Sequence, residues 1–377
     1  MKSICVISFS DLGTDPRVNR QIRLLAQRYR VTAAGFAAPG IPGVEFISIV
    51  RVPRSIFGKG RAAWMLKSKQ YEQYYWSSPT VSNAMQVLRE SSFDLILAND
   101  LVTLPLALKL SKGRPVVLDA HEYAPREYED RLFWRYLLSE YTDYLCRTYL
   151  HRVDGMLTVC QSIANEYEKN YGIQPQVLVN APPYHELSPS PTDSNRIRMI
   201  HHGAVIPSRR IELMIEAMDF TSERIELELM LMPNGSRYFR RLEMLASGRP
   251  RVRIVPPVPM TDLPRRLNDY DLGVFLLPPT NLNYEYALPN KLFEFIQARL
   301  AIAIGPSPEM AHVVRQYGCG VIAEDFTPQS LASKLNLLTR EDIVRLKRAS
   351  HTAAKELCFE KNAPILLGII EQVLESD

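Results

Sequence analysis

Short apolar runs alternate with helix-like patterns along the first half of the chain. Residues 4–9 form a mostly apolar run of strand length, and within residues 17–28 Val18, Ile22 and Leu25 recur at helical spacing. Further runs with the length and composition of buried strands lie at 31–36, 45–50, 94–98, 116–118, 155–159 and 176–179. An alternation of strands and helices predicts a doubly wound α/β domain built on a parallel sheet.

The same alternation resumes after a segment rich in serine and proline. Residues 185–196 have the composition of a linker, so we place a domain boundary there. The strands predicted behind it are 198–202, 226–232, 253–255, 272–276 and 301–304, and the helices are 308–317 and much of 327–375. The sequence therefore predicts an N-terminal domain over 1–184, a C-terminal domain over 197–357 and a last helical segment over 358–377.

Length and composition fit a globular protein of two domains. A chain of 377 residues can build two ordinary cores, and a net charge of +4 is too weak to indicate nucleic acid as a partner. No apolar run reaches membrane-spanning length, and the one at the N-terminus is too short for a signal peptide. The cysteines show no paired spacing, which predicts a reducing cytosol with neither a zinc site nor a disulfide framework. They are Cys5, Cys146, Cys160, Cys319 and Cys358.

Residues 283–320 contain the most informative pattern. Pro289 and Asn290 are helix start signals, with Asn290 as the expected cap, and Lys291 and Glu294 share one face of the helix that follows. The opposite face carries Leu292, Phe293, Phe295 and Ile296. A helix N-terminus is a ready site for a phosphate, and a carboxylate one turn further can accept hydrogen bonds from a ribose. The alternative is an amphipathic helix that only packs on a sheet.

This stretch resembles the donor-binding motif of family 4 glycosyltransferases. The resemblance lies in PNKLFEF, the short strand and Gly-Pro turn behind it, and a helix that opens with Glu-Met. The family signature has two glutamates separated by seven residues, and Glu294 corresponds to the second, which holds the ribose of a sugar nucleotide. Tyr286 occupies the first position, with Glu285 one place early. A branch of the family with PNKLFEY-type motifs accommodates this departure, which leaves the role of Glu285 open.

Residues 203–218 resemble a second family pattern, G-x-L-x3-K-G. Arg209 occupies the position of the lysine that grips the donor diphosphate, whereas Ala204 replaces the usual arginine, so Arg210 or Lys291 would supply the missing contact. Two adjacent arginines at a helix start are otherwise solvent-exposed residues. Because positive charges are unfavourable at the N-terminus of a helix, a bound anion would explain why both arginines lie there.

Gly13 sits where the first strand is predicted to end, the usual place for a ligand crevice in such sheets. No G-x-G-x-x-G follows it, which argues against a dinucleotide-binding oxidoreductase. The residues that we assign to the donor diphosphate are Gly13, Arg209, Arg210, Asn290 and Lys291.

The segment VVLDAHEYAP, residues 116–125, predicts a second cluster. If its strand ends at Leu118, then Asp119, His121 and Glu122 lie at the carboxyl end of the sheet. The segment resembles the family strand that ends in a histidine reaching the donor sugar. A single histidine is more often structural, but polar neighbours on both sides favour a function. We expect a neutral imidazole that positions a sugar hydroxyl.

Asn99 and Asp100 end the neighbouring strand and should face the same crevice. The catalytic candidates are His121, Glu285 and Glu294, and the acceptor-side candidates are Asn99, Asp100, Asp119 and Glu122.

The resemblance implies the GT-B fold, with two Rossmann-like domains facing across a cleft and the last helix crossing back to the first domain. It also implies transfer of a sugar from a UDP- or GDP-linked donor to a saccharide, lipid-linked or small-molecule acceptor, with retention at the anomeric carbon. No metal and no cofactor are expected, because cations and helix N–H groups can neutralise the leaving diphosphate and no D-x-D is placed to hold an ion. The products would belong to cell-surface polysaccharide or glycolipid assembly.

Two alternatives belong to other functional classes. A nucleotide-sugar epimerase on the same fold would convert the donor without an acceptor. A non-catalytic GT-B scaffold protein would be consistent with the imperfect pair of glutamates. The sequence leaves the base, the sugar, the acceptor and the oligomeric state undetermined.

Residues 51–76 combine basic and aromatic side chains with the single acid Glu72. Such a composition suits the surface of an anionic membrane, which would place the protein at the inner face of the bilayer. The alternative is a solvated helix face combined with aromatic residues of the core. The basic residues are Arg51, Arg54, Lys59, Arg61, Lys67 and Lys69, and the aromatic residues are Phe57, Trp64, Tyr71, Tyr74, Tyr75 and Trp76.

Overall fold

A computed structural model describes residues 1–193 and 195–376. The chain folds into two compact units. The first contains Met1–Val179, Asn281–Asn283 and the end of the chain from Ala363, and the second contains Asn180–Thr280 and Tyr284–Asn362. The division at residue 180 lies a few residues before the predicted boundary.

A seven-stranded parallel sheet forms the centre of the first unit, in the order β3-β2-β1-β4-β5-β6-β7. Its strands are β1 Ser3–Ile7, β2 Arg30–Gly35, β3 Glu45–Ser48, β4 Leu95–Asn99, β5 Val116–Ala120, β6 Gly155–Thr158 and β7 Gln176–Val177. Every residue of β1, β4 and β5 is buried, as expected for a sheet covered on both faces. The strand order reverses between β1 and β4, where sheets of this kind bind ligands.

Helices cover both faces of this sheet. They are α1 Pro16–Leu25, α2 Ile56–Lys67, α3 Tyr71–Trp76, α4 Pro79–Leu88, α5 Leu104–Leu110, α6 Leu132–Leu137, α7 Ser139–Tyr149 and α8 Gln161–Tyr171. The predicted helix over 17–28 is confirmed by α1, which buries Val18, Ile22 and Leu25. Its N-cap is Asp15, whose carboxylate accepts from the backbone N–H of Val18.

A six-stranded parallel sheet forms the centre of the second unit, in the order β10-β9-β8-β11-β12-β13. Its strands are β8 Ile197–Ala204, β9 Ile225–Met232, β10 Val252–Val255, β11 Leu272–Phe275, β12 Ala301–Ile304 and β13 Gly320–Ile322. Here the order reverses between β8 and β11. The two sheets confirm the predicted doubly wound α/β fold.

The helices that follow β8 along the chain are α9 Glu212–Ala217, α10 Arg237–Ser247, α11 Leu263–Asn268, α12 Leu282–Glu285, α13 Asn290–Gln297, α14 Pro308–Tyr317, α15 Pro328–Asn336, α16 Arg340–Glu356 and α17 Phe359–Glu375. From Ala363 onward α17 belongs to the first unit. There Leu366 and Ile370 join the core around Ile4 and Val6.

Residues 185–196 are held against the second unit. The backbone N–H of His185 donates to Gln297 Oε1 at 3.1 Å, and the buried Arg299 donates to the carbonyl of His185 at 2.5 Å. These contacts make the predicted linker part of the surface of that unit. Ser194, which also falls in the predicted linker, lies outside the described residues.

Two element boundaries next to the predicted site residues differ from the sequence predictions, and one strand was missed. Strand β5 continues to Ala120 instead of ending at Leu118, because Asp119 is a buried strand residue. Helix α13 has Pro289 as its N-cap, so Asn290 is its first helical residue and not the cap. Strand β13 was not predicted. The predicted strand 301–304 and helix 308–317 are confirmed by β12 and α14.

The basic and aromatic stretch 51–76 divides between surface and core. On α3, Tyr71 and Tyr75 are buried, and the Tyr75 hydroxyl donates to the carbonyl of Val102 at 3.0 Å. On α2, Phe57 and Trp64 are exposed. No helix of the described residues is both long enough and apolar enough to cross a bilayer.

Candidate functional site

Polar side chains at the carboxyl ends of β4 and β5 line a cavity of about 670 Å³ in the first unit. Cavities of 300–1,000 Å³ are typical of small-molecule sites. The polar part of the wall contains Asp100, His121, Glu122 and Glu127. Much of the remaining wall is aromatic and includes Phe36, Tyr74, Tyr128, Trp134 and Tyr141.

Asp119 lies beneath this cavity as part of a buried ion pair. Both of its carboxylate oxygens accept hydrogen bonds from Arg17, each at 2.7 Å, and Gln21 donates to the same group. Arg17 also donates to the carbonyl of Leu178. Burial alone would raise the pKa of Asp119, but the charges of Arg17 and His121 hold it well below its usual range. Asp119, which was predicted on the acceptor side, is a fully buried carboxylate that is bonded to Arg17.

Arg17 and Gln21 were not identified from the sequence. They are one turn apart on α1, and this i, i+4 pair of polar residues beside Val18 and Ile22 is the signal that could have indicated a buried partner. Their pairing with Asp119 fixes the end of β5 and so the position of His121.

His121 is surrounded by oxygen atoms that can only accept. Its Nε2 lies 3.2 Å from Asn99 Oδ1 and 3.4 Å from Asp119 Oδ2, and its Nδ1 lies 3.5 Å from Asp100 Oδ1. Burial lowers the pKa of His121, but the carboxylates of Asp100 and Asp119 outweigh it and raise the pKa to about 9. The raised pKa favours a protonated ring near neutral pH, which differs from the neutral imidazole expected from the sequence.

Asp100 has a strained backbone at the cavity. Its φ of 64° and ψ of 150° are rarely adopted by residues other than glycine. Three hydrogen bonds hold it there, because its N–H donates to the carbonyl of Asp119 and its own carbonyl accepts from both the N–H and the hydroxyl of Thr103. The Asp100 side chain is about half exposed. Strain of this kind is characteristic of functional sites.

Two further carboxylates line the cavity. Glu122 is exposed, and its backbone carbonyl accepts from the Tyr167 hydroxyl at 2.9 Å. Glu127 was not identified from the sequence. Burial raises the pKa of Glu127, and its place in the wall depends on the 3₁₀ turn of Ala124–Arg126 just before it.

Gly13 belongs to the loop between β1 and α1, six residues beyond the end of the strand. Its N–H donates to the side chain of Asp11 at 3.0 Å. A Cβ atom at this position would lie 3.1 Å from the carbonyl of Ala38, so the loop is closely packed here.

A cationic cluster lies at the carboxyl end of β8 in the second unit. Lys291, in the first turn of α13, is buried, and its Nζ donates to Nε2 of His201 at 3.1 Å. Nδ1 of His201 donates to the carbonyl of Val274, which fixes the tautomer that accepts from Lys291. Burial lowers the pKa of Lys291 well below its usual range, and Arg209 lowers it further. Lys291 has no carboxylate ion-pair partner among the described residues.

Gly203, near the end of β8, lies beside this lysine. Its φ of +118° disfavours any side chain, and a Cβ atom there would lie 3.7 Å from Nζ of Lys291. The face of Phe275 lies on another side of the ammonium group, 4.1 Å from Nζ to the ring centroid.

Glu294 lies one turn beyond Lys291 and is buried beside His202. Its Oε2 is 3.3 Å from Nε2 of His202, and burial lowers the pKa of His202 well below its usual range. The two adjacent histidines, His201 and His202, were treated as strand interior in the sequence analysis. Their position just before Gly203 is the signal that could have placed them in the site.

The two arginines after β8 differ in their contacts. They lie on and just after a 3₁₀ turn, Pro207–Arg209, and not at the start of an α-helix as predicted. Arg210 has a left-handed backbone and donates to Glu212 at 2.9 Å. Arg209 is half-buried and has no ion pair among the residues that the structure describes. Of the two, Arg209 therefore has its guanidinium available for a ligand.

The remaining site predictions fall on α12 and α13. Glu285 is the last residue of α12 and is exposed, and Asn290 opens α13 beside Lys291. Asp271 pairs with the buried Lys347, the two closest atoms being 3.4 Å apart. Asp269 pairs with Arg266 at 3.0 Å, so both members of the D-x-D at 269–271 have cationic partners.

Comparison with protein families gives a match over the first unit. Residues 17–182 match the model described as Glycosyltransferase Family 4. A comparison with curated proteins finds no match.

Solved structures with the same fold include several glycosyltransferases. Sucrose-phosphate synthase from Thermosynechococcus elongatus has a TM-score of 0.78 at 13% identity, with 100% of both chains covered. HepE from Anabaena in complex with UDP-glucose has a TM-score of 0.71 at 15% identity, covering 100% of this chain and 99% of that one. WaaG, a glycosyltransferase involved in lipopolysaccharide biosynthesis, has a TM-score of 0.61 at 15% identity, covering 98% and 100%. At these identities the likeness is one of fold.

Proposed function

We propose that the chain, whose residues 17–182 match the Glycosyltransferase Family 4 model and whose fold is that of known glycosyltransferases, is a glycosyltransferase that moves a sugar from a nucleotide-diphosphate donor to a hydroxyl acceptor. The observation that carries the proposal is the buried Lys291 beside Gly203 and Arg209. A buried lysine without a carboxylate partner is costly, and a bound anion removes that cost.

The donor diphosphate binds to this cluster. Lys291 and the backbone N–H groups of the first turn of α13 face one phosphate, because a helix N-terminus carries unpaired donors and a partial positive charge. Arg209 adds a charge-assisted hydrogen bond. Asn290, at the start of α13 beside Lys291, is a further phosphate contact. Arg210 is the weakest member of the set, since it already bonds to Glu212.

Glu294 binds the ribose of the donor. A buried carboxylate can accept from two vicinal hydroxyl groups at once, and His202 at 3.3 Å holds its orientation. A UDP-sugar is the favoured donor, supported by the complex of the similar HepE with UDP-glucose. A GDP-sugar is the second class to test.

The acceptor binds in the cavity of the first unit. The half-exposed Asp100 can accept a hydrogen bond from an acceptor hydroxyl, and the protonated ring of His121 can donate to a sugar oxygen. Asn99 and Asp119 hold that ring, so they act as positioning residues. Glu122 lies at the wall of the same cavity.

The transfer proceeds with retention and without a metal ion. Lys291, Arg209 and the helix N–H groups neutralise the charge that develops on the leaving diphosphate, which is the work that a divalent ion would otherwise do. The diphosphate oxygen then receives the proton of the acceptor hydroxyl. Glu285 is a further catalytic candidate on the donor side, with no assigned step.

The reaction belongs to cytoplasmic assembly of a cell-surface polysaccharide or glycolipid. The similar fold of WaaG, which is involved in lipopolysaccharide biosynthesis, supports this class of product.

The test is incubation of the purified protein with labelled UDP- and GDP-sugars, with and without candidate acceptors and with and without EDTA. Transfer of label that requires an acceptor and survives EDTA supports the proposal. Conversion of the donor sugar without acceptor indicates an epimerase. Nucleotide binding without turnover of any sugar indicates a scaffold protein.

A further inference from the structure

Six large apolar side chains on two helices of the first unit are 58% to 92% exposed. They are Ile56, Phe57 and Trp64 on α2 and Leu132, Phe133 and Tyr136 on α6. The two helices contact each other, so these side chains belong to one region, which we call the α2–α6 face. A group of exposed aromatic and aliphatic residues of this size marks an interaction surface.

The α2–α6 face carries positive charge only. Neither helix contains an acid, whereas α2 carries Lys59, Arg61 and Lys67 and α6 carries Arg135. None of these four residues forms an ion pair among the residues that the structure describes. Phe57, Arg61 and Trp64 are spaced i, i+4 and i+7, so one face of α2 presents two aromatic rings with a guanidinium between them.

These exposed side chains are not required by the core. Helix α2 packs through Ala62, Met65 and Leu66, which are buried on its other side. Core packing therefore explains Tyr71 and Tyr75 of the stretch 51–76, but not Phe57 and Trp64.

We propose that the α2–α6 face docks on the surface of an anionic lipid bilayer. Aromatic and aliphatic side chains insert at the boundary between headgroups and acyl chains, and Lys and Arg beside them pair with anionic lipids. Acids are absent from both helices, so their charge complements that of an anionic lipid surface. The proposed binding partner of the α2–α6 face is thus a membrane surface. The test below distinguishes it from a soluble protein partner.

Docking brings the acceptor cavity to the membrane. Trp134 of α6 is buried and lines the cavity, while its neighbours Phe133 and Arg135 are exposed on the α2–α6 face. One short helix thus forms both the cavity wall and the docking surface. In so far as the proposed function holds, the acceptor is a lipid or a lipid-linked sugar that enters from the bilayer.

The test is sedimentation of the full chain with phosphatidylcholine vesicles, with and without phosphatidylglycerol and in the absence of any nucleotide. We expect binding only with the anionic lipid, and weaker binding as salt is added, because charges are screened within about 10 Å at 0.1 M. The triple variant Arg61→Gln, Lys67→Gln, Arg135→Gln should bind about a hundredfold more weakly, at about fivefold for each charge.

A matched control variant removes three positive charges from a different surface of the protein. Arg237→Gln, Arg240→Gln and Arg241→Gln on α10 of the second unit should leave vesicle binding unchanged. A second variant removes exposed aromatic side chains through Phe57→Ser, Trp64→Ser and Phe133→Ser. It should lose vesicle binding while keeping the thermal unfolding midpoint of the wild-type protein. Lipids brominated on their acyl chains should quench Trp64 fluorescence, a signal that Trp64→Phe removes.

Equal binding to neutral and anionic vesicles would overturn the proposal, as would the absence of binding at low salt. So would equal loss of binding in the α10 control. Because no donor is present, the result is independent of the transfer assay. A protein that transfers sugar to a soluble acceptor but ignores vesicles would refute the docking surface and leave the proposed function intact.

Discussion

Nζ of Lys291 lies 3.1 Å from Nε2 of His201, and both side chains are buried without a carboxylate ion-pair partner among the described residues. These two buried basic groups bind fewer protons in total than they would in water, because burial lowers the pKa of both well below their usual ranges. An anion bound beside them reverses this effect. We therefore expect nucleotide binding at this pair to be coupled to the uptake of a proton.

We predict that binding of UDP or GDP near neutral pH is accompanied by net proton uptake. Calorimetric titrations in buffers of different ionisation enthalpy measure it as the slope of heat against that enthalpy. Lys291→Met should remove the uptake and weaken binding, whereas Lys334→Met at a solvent-exposed ion pair should change neither. A slope of zero for the wild-type protein would show that Lys291 is already charged in the free state.

Arg209→Ala should weaken nucleotide-diphosphate binding by tenfold or more, because a charge-assisted hydrogen bond contributes about 1.5–3 kcal/mol. The matched variant is Arg210→Ala, whose guanidinium already bonds to Glu212 and should matter less. Both affinities can be measured by calorimetry on proteins with unchanged circular dichroism. Equal losses in the two variants, or none in either, would refute the distinction between the two arginines.

Glu294→Gln should abolish discrimination between UDP and 2′-deoxy-UDP. In the wild-type protein we expect the ribonucleotide to bind about tenfold more tightly, which is the worth of one hydrogen bond to a charged group. Discrimination is lost because the glutamine NH2 group, which only donates, replaces one carboxylate oxygen. The side chain can then no longer accept hydrogen bonds from both ribose hydroxyls. Unchanged discrimination in the variant would move the ribose away from α13.

His121 should matter for turnover and little for nucleotide affinity, because it lies in the first unit among acceptor-side residues. We expect His121→Ala to bind UDP normally and to transfer sugar roughly a hundredfold more slowly, the usual worth of one catalytic proton or hydrogen-bond contact. Wild-type turnover in this variant would show that the histidine is structural.

The positive charge of His121 also makes the free energy of unfolding depend on pH. Its pKa in the folded protein, about 9, lies above the ordinary value near 6.5. The stabilisation is therefore complete below pH 6.5 and is lost as the pH rises through 9, and it amounts to about 3.4 kcal/mol at most. Urea unfolding of wild type and His121→Gln at pH 6 and pH 9.5 checks this. A stability difference that is independent of pH would contradict it.

Much of the architecture was predictable because the strands are continuous apolar runs. The elements around residues 301–317 agree with the structure to the residue, since a buried run, a Gly-Pro turn and a proline-initiated helix leave little ambiguity. Strand β13 was missed because three half-buried residues carry no pattern. The end of β5 was misplaced because Asp119 resembles a loop residue until Arg17, 102 residues earlier, is known to neutralise it.

The candidate site was predictable in part for the same reason. Lys291 and Glu294 lie at helical spacing in one short motif, so local sequence places them together. The protonated state of His121 depends on Asp100 and Asp119 from two strands, and the aromatic cavity wall gathers side chains from segments far apart in the chain. Long-range pairings of this kind have no local signal.

The most direct test of the account is the release of nucleotide diphosphate from a labelled donor sugar. It should be measured at saturating donor with and without acceptor, in wild type, Arg209→Ala and the exposed control Arg240→Ala. The account predicts release of UDP or GDP that depends on the acceptor, equals the amount of sugar transferred, and falls at least tenfold in Arg209→Ala but not in Arg240→Ala. Acceptor-dependent release that is the same in all three proteins would contradict the assignment of the donor site.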